Sequence, residues 1–197
     1  MGIQKQLFGK SLDNREVFLY EMTNKNRMSI AVTDFGATLV KVLVPDRQGV
    51  RRDVVLGYDD AEGYYNNPGH FGAVVGRNGN RIKDAKFTIN GKEYQLAVND
   101  NKNNLHSGPN WYRTRVWNVT EIKEEKNSIT FGLLSPDGDQ GFPGNYTCYV
   151  TYELTDENEI VLHYEGSADA DTVVNMTNHS YFNLAGHAAG REAMLKH

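Results

Sequence analysis

The sequence predicts a mainly β, antiparallel-sheet protein folded as one domain. Short runs of alternating apolar and polar residues recur along the 197-residue chain, bounded by Gly, Asn, Asp or Pro, which is how half-buried antiparallel strands read. No window of eleven or more residues holds a capped helical period. There is also no fixed-period repeat, low-complexity tract or proline-rich linker that would divide the chain.

Taken in order, residues 16–20, 28–32, 39–44 and 53–56 alternate and read as strands, and residues 59–65 read as a short turn. A-V-V at 73–75 reads as a buried strand. The hairpin signal is clearest at K-F-T-I-N-G-K-E-Y-Q-L. There Phe87 and Ile89 share a face, Asn90-Gly91 supply a two-residue turn, and Tyr94 and Leu96 return on the same face. Residues 116–122 and 129–134 follow, and 148–154 and 160–164 are joined across T-D-E-N. The single cysteine, Cys148, falls within one of these runs, where it reads as a strand residue and has no partner for an internal disulfide.

Composition narrows the function classes. Hydrophobic content of 39% with 23% charged residues is that of a soluble globular domain, and the longest apolar runs are too short to cross a bilayer. A net charge of −4 argues against a nucleic-acid partner, since Arg51-Arg52, the one basic cluster, is followed at once by Asp53. The N-terminal segment lacks the apolar core of a secretory signal, so a cytoplasmic location is expected and the N-x-S/T sequons at Asn118, Asn145, Asn175 and Asn178 are expected to stay unmodified.

Four loops are richer in Gly, Asn and aromatic residues than simple connections need. N-M-T-N-H-S-Y-F-N-L at 175–184 delivers His179 at a strand end, flanked by Asn178 and Ser180 as groups able to set its tautomer and by Tyr181 and Phe182 beyond. That setting suits a general acid or base, although a core histidine satisfied by a backbone carbonyl is the commoner use of such a residue. G-R-N-G-N-R-I at 76–82 carries Arg77 and Arg81, whose fixed planar donors suit vicinal hydroxyls and equally suit a surface carboxylate. N-N-L-H-S-G at 103–108 presents His106 with Trp111 and Tyr112 close behind, a combination that suits the apolar faces and polar edges of a sugar. S-P-D-G-D-Q-G-F-P-G-N at 135–145 lacks the closing glutamate of a calcium loop and reads as a rigid connection. His70, His106, His163 and His179 show no H-x-x-x-H pairing, CxxC is absent, and neither a metal nor any other cofactor is expected. Histidine with hydroxyl-binding groups remains, which favours proton transfer on a polyol or sugar.

Together, in this order, these four motifs resemble the aldose 1-epimerases, also called galactose mutarotases, and G-A-T-L at 36–39 and D-V-V-L-G-Y at 53–58 are similar to that family's N-terminal strands. The resemblance implies an all-β protein, a large antiparallel β-sandwich with an open cleft. It implies interconversion of the α and β anomers of free aldohexoses, galactose or glucose, without a cofactor. It further implies that His179 is the general acid at the ring oxygen, that Asn80 and Arg81 bind sugar hydroxyls, that His106 lies on the ring-oxygen side as a catalytic and binding group, and that Tyr181 walls the pocket.

The family is longer than this chain and carries its general base, a glutamate, and a further sugar-binding aspartate beyond position 197. The expectation is therefore a mutarotase-like domain truncated relative to the family, incomplete at its C-terminus and weak in activity. Glu192, Asp169 and Asp171 offer no substitute base. Unpaired edges would favour self-association or completion by another chain. A non-catalytic sugar-binding or regulatory module is the alternative reading. A third, action on a phosphorylated hexose, requires extra basic residues near the pocket, for which Arg77 and Arg113 are the candidates.

Overall fold

The computed structural model describes residues 2–190. Its strands, in chain order, are β1 (Gln4–Lys10), β2 (Glu16–Thr23), β3 (Ser29–Thr33), β4 (Thr38–Pro45), β5 (Arg51–Asp53), β6 (Val74–Val75), β7 (Arg81–Ile82), β8 (Lys86–Ile89), β9 (Lys92–Gln95), β10 (Asn104–Leu105), β11 (Asn118–Lys123), β12 (Ser128–Ser135), β13 (Tyr146–Leu154), β14 (Ile160–Ala168) and β15 (Thr177–Asn178). Strands β1 to β5 form one sheet in sequence order, and β11 to β14 form another; all neighbours in both are antiparallel.

The two sheets face each other across a shared apolar core. Tyr20, Met22, Ile30 and Val32 come from the first, and Ile129, Phe131, Leu133, Cys148, Val150 and Tyr152 from the second. Tyr20 meets Phe131 edge to face with centroids 5.8 Å apart. This is the sandwich that the resemblance implies, and Cys148 is buried in β13 as its run predicts.

Burial along each strand shows what covers it. β13 alternates buried and partly exposed residues over its whole length, as a strand with one covered face should. β3 is buried at all five positions because the far face of its sheet carries a second cluster, in which Phe8, Val17, Leu19, Ala31, Phe35 and Val40 pack against Ala61 and Tyr64. Those last two belong to α1 (Ala61–Tyr65), the element of the short turn expected at 59–65; Asp60 caps it by accepting a 2.9 Å hydrogen bond from the amide of Gly63.

Two differences from expectation stand out among the strands. The strand expected at 53–56 ends at Asp53, whose carboxylate accepts from the amides of Val42 and Val55 and so takes over part of the ladder. β1 was not legible, since Gln4, Lys5 and Gln6 mask its alternation and a register shift between Leu7 and Gly9 disrupts its pairing with β2. The β8–β9 hairpin matches expectation: Asn90 and Gly91 have φ of 51° and 77°, as its tight turn requires, and Phe87 stacks on Tyr94 at 5.4 Å.

Candidate active site

Three short strand pairings bring distant motifs to one place. β15 pairs with β6, so that Thr177 lies opposite Val75 and Asn178 opposite Val74. The chain then holds His179 by its backbone, with its amide donating to Ala73 O at 2.9 Å and its carbonyl accepting from Gly72 at 3.2 Å. Gly72 has φ of 68°, and a Cβ there would stand 2.0 Å from Leu39 O, so only glycine allows this approach. β10 pairs with β7, setting Leu105 opposite Arg81. An isolated bridge joins Asn78 to Asn175.

These pairings deliver His106 beside Asn80 and both beside His179. His106 and Asn80 are joined reciprocally: the His106 amide donates to Asn80 O at 2.9 Å, and the Asn80 amide donates to His106 Nδ1 at 2.9 Å. An accepting Nδ1 leaves the neutral ring's proton on Nε2, which makes His106 a donor at its other edge. The rings of His106 and His179 lie 5.1 Å apart at right angles, and Tyr181 lies 5.3 Å beyond His179. Arg81 donates to Asp100 at 2.6 Å and to Asn80 Oδ1 at 3.3 Å, with over half of its side chain still exposed.

The expected site residues His106, His179, Asn80, Arg81 and Tyr181 all line one open hollow of about 610 Å³, together with Gly79 and residues 175–178 and Ser180. That volume lies in the range of small-ligand sites. Among the described residues no carboxylate lines it. Asp169 and Asp171 are engaged elsewhere, with Asn145 and Asn90 respectively, and Glu192 lies outside the described residues. Among the described residues no group of three or more His, Cys, Asp and Glu side chains is arranged to hold a metal ion.

Three details of the sequence reading change. Asn178 does not orient the His179 ring: its amide donates to Gly72 O and to the hydroxyl of buried Tyr152, and its oxygen accepts from the Ser180 amide, so it fastens the strand. The Ser180 hydroxyl is buried without a hydrogen-bond partner. Arg77 is not a hydroxyl-binding group, since it is fully buried and its Nη1 and Nη2 donate to the carbonyls of Ser135, Pro136, Pro143 and Gly144 and to the hydroxyls of Ser135 and Thr172. It thereby clamps the 135–145 loop.

His70 is the residue that sequence reasoning left unassigned. Its ring lies 5.0 Å from His106 and 5.5 Å from His179, and Trp111 packs against it at 5.7 Å. It does not line the hollow; it backs the two histidines that do. Burial lowers His70 to about 4, with the Arg113 charge adding to the effect, and lowers His106 to about 4, with His179 adding. Both rings are therefore neutral at neutral pH. The left-handed backbone of His70 (φ 53°) and of His106 (φ 54°) marks both as residues in tight turns, a signal that a bare sequence does not display.

Known proteins resemble this chain over most of its length. A family model described as aldose 1-epimerase matches residues 19–197. A galactose mutarotase of Bos taurus is 44% identical over 82% of this chain and 46% of its own length, and an aldose 1-epimerase of Escherichia coli is 37% identical over 88% of this chain and 50% of its own. Among solved structures, a galactose 1-epimerase from Lactobacillus acidophilus superposes with a TM-score of 0.83 at 28% identity, covering 92% of this chain and 53% of that one. An aldose epimerase homologue from C. elegans gives 0.79 at 34% identity, covering 83% and 50%. The chain spans about half the length of the curated relatives it matches.

Proposed function

Because the chain belongs to the aldose 1-epimerase family, we propose that the hollow binds a free aldohexose, galactose or glucose, and serves the interconversion of its anomers. The observation that carries this reading is the convergence of two imidazoles, an amide and a guanidinium on one open hollow walled by a tyrosine.

In the proposed mechanism Arg81 and Asn80 hold sugar hydroxyls by fixed planar donors. His179 gives a proton to the ring oxygen while the C1–O5 bond breaks, and the anomeric hydroxyl passes its proton to water in the open hollow as C1 becomes an aldehyde. Rotation about C1–C2 turns the other face of the aldehyde to the same hydroxyl, and reclosure returns that hydroxyl's proton to His179 while water gives one back to the new anomeric oxygen. The Nδ1 of His106, which accepts from the Asn80 amide, supports a hydrogen-bond donor role for His106 through Nε2, and the backbone hold on His179 at the hollow supports giving it the acid role. Among the described residues no carboxylate lines the hollow to take the proton of the anomeric hydroxyl in place of water. That observation favours a second reading, a module that binds the sugar without turning it over.

Polarimetry of freshly dissolved α-D-glucose separates the two. The enzyme reading expects equilibration faster than the spontaneous rate, with His179→Ala lowering the acceleration by about 10²–10⁴, the usual worth of a general acid. Equal acceleration by the variant contradicts the role of His179. Saturable binding of the sugar with no acceleration supports the module.

A further inference from the structure

Three arginines lie buried or half-buried around the site, and two of them are answered by the protein. Arg77 has carbonyl and hydroxyl acceptors for both terminal nitrogens. Arg115 makes a two-pronged ion pair with Asp139, at 2.7 and 2.9 Å, and donates to Asn110 O. Each leaves only Nε without a partner.

Arg113 is different. It is 8% exposed, yet among the described residues no carboxylate stands within ion-pair distance, and both Nε and Nη1 are sealed from solvent without an acceptor. Its guanidinium rests on the ring of Trp111 at 4.6 Å. The indole Nε1 of Trp111 and the Nδ1 of His70, the ring packed against Trp111, are likewise buried and unpartnered. Four orphaned nitrogens thus sit on three adjoining side chains. Three of them can only donate, and the fourth donates in one of its tautomers. A buried cation surrounded by donors and lacking a counter-ion is unfavourable unless something anionic completes it.

This cluster adjoins the proposed sugar site, because His70 touches both His106 and His179. We propose that Arg113, with Trp111 and His70, forms an anion-recognising subsite next to the hollow, which takes the carboxylate or phosphate group of an acidic aldose. The inference rests on the aldose reading of the hollow and adds a substrate class to it. It also divides the two basic residues considered from sequence: Arg77 is saturated, whereas two nitrogens of Arg113 meet no acceptor among the described residues. The Arg113 charge contributes to keeping His70 neutral. An anion bound between them would raise the His70 titration, which gives the subsite a spectroscopic signature.

The test is calorimetry at low salt with D-galactose, D-galacturonate, D-galactose 6-phosphate and inorganic phosphate, on the 197-residue chain and on Arg113→Met and Arg113→Lys. Charge-assisted hydrogen bonds predict that at least one acidic sugar binds about 10-fold or more tightly than D-galactose. Arg113→Met should erase that preference while leaving D-galactose within about twofold, and Arg113→Lys should keep part of it. A preference for the uronate assigns a carboxylate, and one for the ester assigns a phosphate. Equal affinities for neutral and acidic sugars, or a preference that survives in Arg113→Met, would overturn the subsite while leaving the aldose site standing. Binding of inorganic phosphate with no binding of any sugar would overturn the aldose reading and the sugar subsite with it.

Discussion

The segment G-R-N-G-N-R-I contains two arginines four residues apart that the fold uses in opposite ways. Arg77 is fully buried, and its terminal nitrogens meet acceptors from β12 and from the 135–145 and 172 regions. Arg81 leaves over half its side chain in solvent beside an open hollow, held in place by Asp100. The lesson is that donor geometry alone does not assign a role. A donor saturated by the protein is structural, and one held in place yet still accessible is available to a ligand. Arg115 and Arg113 differ in their partners: Arg115 is paired with Asp139, while two nitrogens of Arg113 meet no acceptor among the described residues.

That comparison is most easily broken at Arg77. Arg77→Ala should strand the carbonyls of Ser135, Pro136, Pro143 and Gly144 without their donor, and the loss of a buried charged network should cost about 3–5 kcal/mol of stability. Urea unfolding with an unchanged m-value measures it; a loss under about 1 kcal/mol would remove Arg77 from the structural side. At the hollow the expectation reverses. His106→Ala should change stability by no more than about 1 kcal/mol, because the ring is only partly buried, while weakening sugar binding by about 10-fold or more. Calorimetry alongside unfolding shows whether the two effects part company.

Acid should expose the same division through titration. His70 and His106 bind protons near pH 4 when folded but near 6.5 when unfolded, so the unfolded state holds more protons between those values. Stability then rises with pH across that window and is lost as pH falls from about 6.5 toward 4. Substituting both histidines with glutamine should flatten this part of the stability curve, and a slope that persists would place its origin elsewhere. The smallest effect belongs to the hairpin, which lies away from the site: Asn90→Ala, at φ 51° and losing a bond to Asp171, should cost about 1 kcal/mol by thermal unfolding with sugar binding unchanged.

Much of this was legible in sequence because it is local. Alternation marked β2, β3, β4 and the strands of the second sheet, and Asn90-Gly91 marked a turn whose φ values only certain residues adopt readily. His179, His106, Asn80, Arg81 and Tyr181 each sit in a contiguous motif, and the structure brings all five to one hollow. What could not be read arises between segments. His70 gains meaning only from rings supplied by two other loops, and Arg113 only from the absence, among the described residues, of a carboxylate beside it. Asn178 misled for the same reason, since its partner Tyr152 lies in a different sheet.

In the proposed site His106 and His179 face the bound aldose. Imidazole resonances followed by NMR during titration with D-galactose test it most directly, with Arg81→Ala as the comparison. Saturable shifts at both His106 and His179, weakened at least several-fold in Arg81→Ala, are the predicted result. Imidazoles that stay unmoved while D-galactose binds would contradict it.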